Sequence, residues 1–338
     1  MRSDYNVVLV GIGAVGAEML KVLDQRQFPI NQLKILARST REEEINGKIY
    51  QVTEGRPEEF DGADFVFFAG TEGAKGASKT YLPEARKRGA VSIDNGADFR
   101  LDPEVPLVVP EVNPEDIQRH RGMIASPNCS TIQMVTALAP LHRENRIRRI
   151  IASTYQAVSG SGRDAVEELR SQSPRVLAGE SDVEARVYPY RIAFNVIPQI
   201  GGFAEDDFTS EEWKMDRETK KILHDPEIMV AATTVRVPVF NVHSESVYIE
   251  TEEPIPLDRV RELLAAAPGV VVMDNPADLI YPTCLDADGK DPVYVGRIRR
   301  DPYIPAGLHF WIVSDNIRKG AALNVIQIAE KMIEEGMV

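Results

Sequence analysis

Residues 6–16 read NVVLVGIGAVG, and this stretch decides the fold. NVVLV at 6–10 is a short apolar run of strand type, and Gly11, Gly13 and Gly16 follow at once as G-x-G-x-x-G. Beyond them, Val15, Met19, Leu20 and Leu23 fall on one stripe, which predicts a helix over 14–23. A lone G-x-G-x-x-G is equally an ordinary glycine-rich turn. Here it closes a strand and opens a helix, where glycines permit a tight turn and close approach to a pyrophosphate, whose charge meets the helix N-terminus. Gly11, Gly13, Ala14, Val15 and Gly16 are therefore the expected phosphate cradle of a dinucleotide.

The alternation of strand and helix continues outward from this turn. LKILA at 33–37, DFVFFA at 64–69 and AVSID at 90–94 read as strands, with 107–109 and 123–125 as two more and a helix over 77–88. The run at 64–69 is apolar on both faces, as buried parallel strands are. After residue 130 the texture changes. A helix is expected over 131–141, and strand runs at 150–155, 235–239, 246–251 and 309–314 follow, several with period-2 alternation. The expected class is α/β: a Rossmann-type, doubly wound parallel sheet, plus a second α+β domain with a mostly antiparallel sheet covered on one face. A chain of 338 residues is long for a single core. Residues 1–130 are assigned to a nucleotide-binding domain and 131–315 to a catalytic and dimerisation domain. By analogy with two-domain dehydrogenases, the amphipathic helix over 321–335 is expected to return, with 316–338, to the first domain.

The choice of nicotinamide is written at the end of the second strand, where NAD enzymes usually place Asp or Glu for the ribose 2′-hydroxyl. This chain has Ala37-Arg38-Ser39-Thr40-Arg41 instead. Arg38 suits a 2′-phosphate, with Ser39 and Thr40 as donors, so NADP is the expected cofactor. The bland alternative makes Arg38 and Arg41 solvated loop cations.

Composition excludes several classes. A net charge of −13 argues against nucleic acid as a partner, since phosphate backbones demand basic stripes. The chain holds no apolar run of transmembrane length and no signal-peptide pattern, so a cytoplasmic protein is expected. Two cysteines, Cys129 and Cys284, fit a reducing compartment, and the spacing of Cys and His carries no metal signature.

Cys129 stands in Ser126-Pro127-Asn128-Cys129-Ser130-Thr131, where a loop becomes a helix. The partial positive charge of a helix N-terminus favours thiolate over thiol. A cysteine in such a place is also often a small buried hydrophobe, and the residues alone leave both open.

The segments SPNCSTIQMV at 126–135, STYQAVSGSG at 153–162 and HSESVYIET at 243–251 resemble signatures of the aspartate-semialdehyde dehydrogenase family. So do Ala193-Phe194-Asn195, Pro110-Glu111-Val112-Asn113 and VSDN at 313–316, and the resemblance runs in order through nearly the whole chain. It implies an NADPH-dependent reduction of aspartyl β-phosphate to the semialdehyde, in lysine, threonine, methionine and diaminopimelate biosynthesis. Cys129 would be the nucleophile that forms a thioester, His243 the acid and base, and Gln156 the residue that orients the substrate. Arg236 would clamp the α-carboxylate, Arg100 and Lys214 the phosphate, and Glu211 the ammonium. Ser159 and Gly160 would belong to the nicotinamide end of the cofactor, and Asn316 would also bind the cofactor. A homodimer through the second domain is expected, because an exposed β face needs covering, with a tetramer as the alternative.

The chain departs from the family pattern at the glycine loop, one residue shorter than the G-A-T-G-A-V-G common in bacterial members, and between residues 170 and 190, which look short. The nearest rival, an N-acetyl-γ-glutamyl-phosphate reductase, typically carries glycine where Asn128 stands. A non-catalytic nucleotide-binding dimeric paralogue would lack the thiol or the histidine. A glyceraldehyde-phosphate-type dehydrogenase would leave Arg236 with Glu211 unexplained.

Overall fold

The computed structural model describes residues 4–70 and 76–338. The chain divides into two compact units, Met1–Asn128 with Ala321–Val338, and Cys129–Gly320.

The first unit is built on seven strands: β1 (Tyr5–Val10), β2 (Ile30–Ala37), β3 (Arg41–Ile45), β4 (Lys48–Glu54), β5 (Phe65–Phe68), β6 (Val91–Asp94) and β7 (Met123–Ala125). Their order is β3-β4-β2-β1-β5-β6-β7, and every pairing is parallel except β3 with β4. The two sheet faces are covered by different helices. Val7, Leu9, Phe65, Phe67 and Ile93 share one core with residues of α1 (Ala14–Gln25) and of the C-terminal helix Leu323–Glu334. On the other face lies α2 (Ala77–Lys87), whose Ser78 hydroxyl donates to the buried Asp94 carboxylate at 2.7 Å.

The turn after β1 shows why each glycine is needed. Gly11 has φ +99°, a left-handed conformation that side chains resist. Gly13 faces open space, with nothing within 4 Å of a would-be Cβ. At Gly16 such an atom would lie 2.1 Å from the Gly11 carbonyl oxygen, so only glycine lets α1 pack against the turn.

Two details of this unit differ from expectation. The run at 107–109 forms only an isolated bridge, Leu107 with Ala125. Pro106 and Pro110 bracket it, and the Val109 N–H is taken by the Asn113 side chain at 2.9 Å. The charged segment 41–54, to which the sequence reading assigned no element, is a hairpin. Its turn is Asn46-Gly47, with φ +54° and +76°, the two positive angles that suit the twist of a tight hairpin.

The second unit contains α3 (Cys129–Glu144), β8 (Ile147–Gln156), α4 (Arg163–Leu177), α5 (Ser210–Ile222), β9 (Met229–Arg236), β10 (His243–Thr251), α6 (Leu257–Ala266), β11 (Val270–Val272), α7 (Cys284–Ala287), β12 (Val293–Arg300) and β13 (Gly307–Ser314). The sheet order is β11-β12-β13-β10-β8-β9. The three central pairings are antiparallel and the two outer ones parallel, so the expected antiparallel sheet is mixed at its edges. The run expected at 235–239 lies mostly outside β9, which begins in the Ala- and Thr-rich 229–234. One face packs Ile150, Ala152, Val247, Ile249, Phe310 and Ile312 against Met134, Leu138 and Leu141 of α3 and Val260 and Leu264 of α6. The opposite face carries Ile151 and Tyr155, both partly open to solvent, with the Tyr155 ring 5.4 Å from that of Trp311. Among the described residues no helix is long and apolar enough to cross a membrane.

The glycine geometry sets an experiment. Gly16→Ala should destabilise the protein by about 1–3 kcal/mol through overpacking, whereas Gly13→Ala should leave thermal melting nearly unchanged. Equal losses in melting temperature would refute the packing role given to Gly16.

Candidate active site

At one end of the covered face of the second sheet, apolar side chains give way to polar ones. Along β8, Ile150 and Ala152 are followed on the same face by Thr154 and Gln156; along β9, Ala232 is followed by Thr234 and Arg236. β10 runs the other way, so its start lies beside the end of β8, and Val247 gives way to Glu245 and His243. Gln156 is in register with Arg236, and His243 with Ser314. All of these polar residues are buried.

His243 is fully buried. The Ala157 N–H donates to its Nδ1 at 3.1 Å, and Nε2 has no hydrogen-bond partner among the described residues. Burial, and then the neighbouring Arg236 charge, hold its pKa well below the ordinary imidazole value against the opposing Val242 carbonyl. The ring is therefore neutral at neutral pH. Arg236 donates from Nη1 to the Ala157 carbonyl, leaves Nε without a partner, and lies over the Tyr188 ring at 5.8 Å.

The turn Val158–Ser161 closes on this pair. A Cβ at Gly160 would stand 3.0 Å from Arg236 Nη1 and 3.2 Å from His243 Nε2, so glycine keeps both atoms accessible. Ser159 accepts a bond from Asn316 Nδ2 at 3.0 Å, and Asn316 Oδ1 accepts one from the Val242 N–H at 2.9 Å. The Asn316 amide thus ties the turn to the residue that precedes His243.

Glu211 reaches the site because of how α5 begins. Thr209 and Glu212 form a capping box, and Glu212 also accepts from the Thr234 N–H at 2.8 Å, which fastens the helix to β9. Glu211, the residue before it, is buried with Oε1 at 3.4 Å from Gln156 Nε2 and Oε2 at 3.5 Å from Lys214 Nζ. The spacing that reads as a surface ion pair is, in the fold, half buried.

Cys129 opens α3 and is in no disulfide. Its close neighbour is Gly320, where a Cβ would come within 2.7 Å of the Cys129 Cβ and 3.2 Å of its Cα. Asp315 shapes the segment that brings Gly320 there: its carboxylate accepts from the N–H groups of Ile317, Arg318 and Gly289 at 2.9, 3.0 and 2.8 Å. Sequence reading passed over Gly320, Glu212 and Glu245. The Thr209–Glu212 spacing was a signal for the capping box, whereas nothing local marks the other two.

The remaining expected residues belong to the first unit. Arg38, Ser39 and Thr40 are exposed after β2. Arg41 is engaged with Glu43 at 2.6 Å and Thr40 accepts from the Glu54 N–H at 3.0 Å, while Arg38 makes no ion pair among the described residues. Arg100 is buried and donates to the Asn95 carbonyl at 2.8 Å. A left-handed Gly11, an open Gly13 and a Gly16 without room for a side chain fit a bound dinucleotide phosphate.

Comparison with known proteins shows the family. Residues 6–120 match the family described as semialdehyde dehydrogenase, NAD binding domain, and residues 138–319 match semialdehyde dehydrogenase, dimerisation domain. The class is thus an aldehyde-directed oxidoreductase that uses a nicotinamide nucleotide. The chain is 47% identical over 341 residues to the aspartate-semialdehyde dehydrogenase of Aquifex aeolicus, covering 99% of both. It is 46% identical over 350 residues to that of Bacillus subtilis, covering 100% of both. A crystal structure of aspartate semialdehyde dehydrogenase II from Vibrio cholerae, complexed with ASA, superposes with a TM-score of 0.93 at 43% identity, over 98% of this chain and 99% of that one. The chain belongs to the aspartate-semialdehyde dehydrogenase family.

Gly320→Ala should push against the Cys129 backbone, destabilising the protein by about 1–3 kcal/mol. It should also change the rate at which iodoacetamide alkylates Cys129, followed by peptide mass spectrometry with Cys284 as internal reference. A wild-type rate at Cys129 would contradict the close packing.

Proposed function

We propose that the protein uses NADPH to reduce L-aspartyl 4-phosphate to L-aspartate 4-semialdehyde and phosphate through a thioester on Cys129. The observation that carries this reading is the cluster at the polar end of the second sheet: a neutral His243 with Nε2 unpartnered, the bare Nε of Arg236, and Gln156 bonded to Glu211.

In this reading the Cys129 sulfur attacks the acyl carbon, a carbon–sulfur bond forms, and the carbon–oxygen bond to phosphate breaks. His243 takes the thiol proton and returns it to the sulfur when the aldehyde leaves. When bound, the nicotinamide supplies the hydride that reduces the thioester. The planar fork of Arg236 holds the α-carboxylate, a task for which lysine offers no equivalent geometry. Glu211 meets the ammonium, Gln156 orients the acyl group, and Lys214 and Arg100 hold the phosphate. Gly11, Gly13, Ala14, Val15, Gly16, Arg38, Ser39, Thr40 and Asn316 bind the nucleotide, with Ser159 and Gly160 assigned to its nicotinamide end.

The reaction serves the biosynthesis of lysine, threonine, methionine and diaminopimelate in the cytoplasm, whose reducing conditions keep the nucleophile a thiol. The enzyme works as a homodimer through the partly open sheet face that bears Ile151 and Tyr155.

Purified protein should reduce NADP with aspartate semialdehyde only when phosphate is supplied, and Cys129→Ala should abolish turnover while retaining NADPH binding. Turnover without phosphate, or by the alanine variant, would defeat the mechanism. Replacing Arg38 by alanine removes charge-assisted hydrogen bonds and should weaken NADPH roughly tenfold to a hundredfold in a fluorescence titration. NADH affinity should stay as it was, and an equal loss for both nucleotides would overturn the 2′-phosphate assignment.

A further inference from the structure

The polar end of the covered face holds one carboxyl group that the proposed reaction does not use. Glu245 lies two residues beyond His243 on β10, on the same face of the strand and in register with Thr154 of β8 and Ile312 of β13. It is fully buried, and neither carboxyl oxygen has a partner in hydrogen-bond geometry among the described residues. Its side chain faces Gln133 and Ser130 of α3, and the Gln133 Nε2 is equally buried and equally bare. Ser130 is the residue after Cys129, and Gln133 stands one helical turn beyond Cys129.

We propose that Glu245 is a positioning residue: through Ser130 and Gln133 it fixes the first turn of α3, and so Cys129, against the strand that carries His243. The inference rests on the reading of Cys129 as nucleophile and His243 as its proton partner. Two residues of strand span roughly 7 Å, so His243 and Glu245 form a short rigid ruler. Anything that lets the first turn of α3 slide along that ruler changes the separation of sulfur and imidazole.

The groups around Glu245 explain why an acid can do this. Gln133 and Ser130 face it from α3, Thr154 flanks it on β8, and Glu211 acts on it from α5. Burial pushes its pKa well above the ordinary carboxyl value; the polar side chains of Gln133 and Ser130 work against that, and the Glu211 charge adds to it. Burial thus favours the neutral acid, which has one donor and one acceptor to offer a serine and an amide. Glutamine has the same length, is neutral, and also offers one of each. Leucine fills the space and offers neither.

The test uses the full-length protein as wild type, Glu245→Gln and Glu245→Leu. It measures kcat, the KM values for aspartate semialdehyde and phosphate, and the pH profile of Cys129 alkylation. A displaced nucleophile should cost Glu245→Leu roughly a hundredfold in kcat with both KM values near wild type, and should shift the alkylation profile. Glu245→Gln should recover most of kcat and restore the wild-type profile. If the leucine variant does not fold, Gln133→Leu removes the facing partner and should show the same split between kcat and KM. Equal losses for glutamine and leucine, losses confined to melting temperature, or losses shared by kcat and KM would each overturn the proposal. If the wild type itself fails to turn over, the proposed reaction fails instead. The alkylation profile still decides the role of Glu245, because it needs no substrate.

Discussion

The chemistry of the second unit depends on the antiparallel register of β8 with β10. Glu245 stands opposite Thr154 and Ser244 opposite Tyr155, so the end of one strand and the start of the next deliver Gln156 and His243 to the same place. β9, parallel to β8, adds Arg236 beside Gln156. A slip of one residue would turn His243, Glu245 and Val247 to the opposite face and bring Ser244 and Ser246 into the core. The apolar stripe of Val247, Ile249 and their partners holds that register. The oily part of the sheet thus fixes the position of its polar end.

A similar division of labour operates around Cys129. The cysteine sits at the start of α3, whose later turns are anchored by Met134, Leu138 and Leu141. Gly320 is a close neighbour, where a side chain would run into Cys129, and Asp315 shapes the turn that presents Gly320. The Cys129 side chain thus leaves the chain between a well-packed helix and a turn held by hydrogen bonds.

Much of this was legible in residue order because the demands are local. Gly11, Gly13 and Gly16 each answer a constraint within one turn of chain, so the strand, the turn and α1 could be read together. The start of the helix carrying Glu211 was legible at Thr209-Ser210, although the part Glu212 plays in its cap was passed over. The hairpin over 41–54 was missed although Asn46-Gly47 marks it, because the charged run REEEI lacks the apolar alternation by which strands are usually recognised. Glu245 and Gly320 were invisible for another reason. In HSES the glutamate reads as one more polar residue of a strand edge, and only the helix above it makes it buried. Gly320 matters solely because a cysteine distant in sequence packs against it.

The buried pair on β10 also affects the proton balance of the whole protein. Folding disfavours the proton on His243 and favours one on Glu245, since burial depresses one pKa and raises the other. Between the ordinary values of about 4.3 and 6.5 the two shifts act in opposite senses: the histidine lowers stability as pH falls, and the glutamate lowers it as pH rises. Two buried groups that would each tilt the pH profile oppose one another across the mildly acidic range.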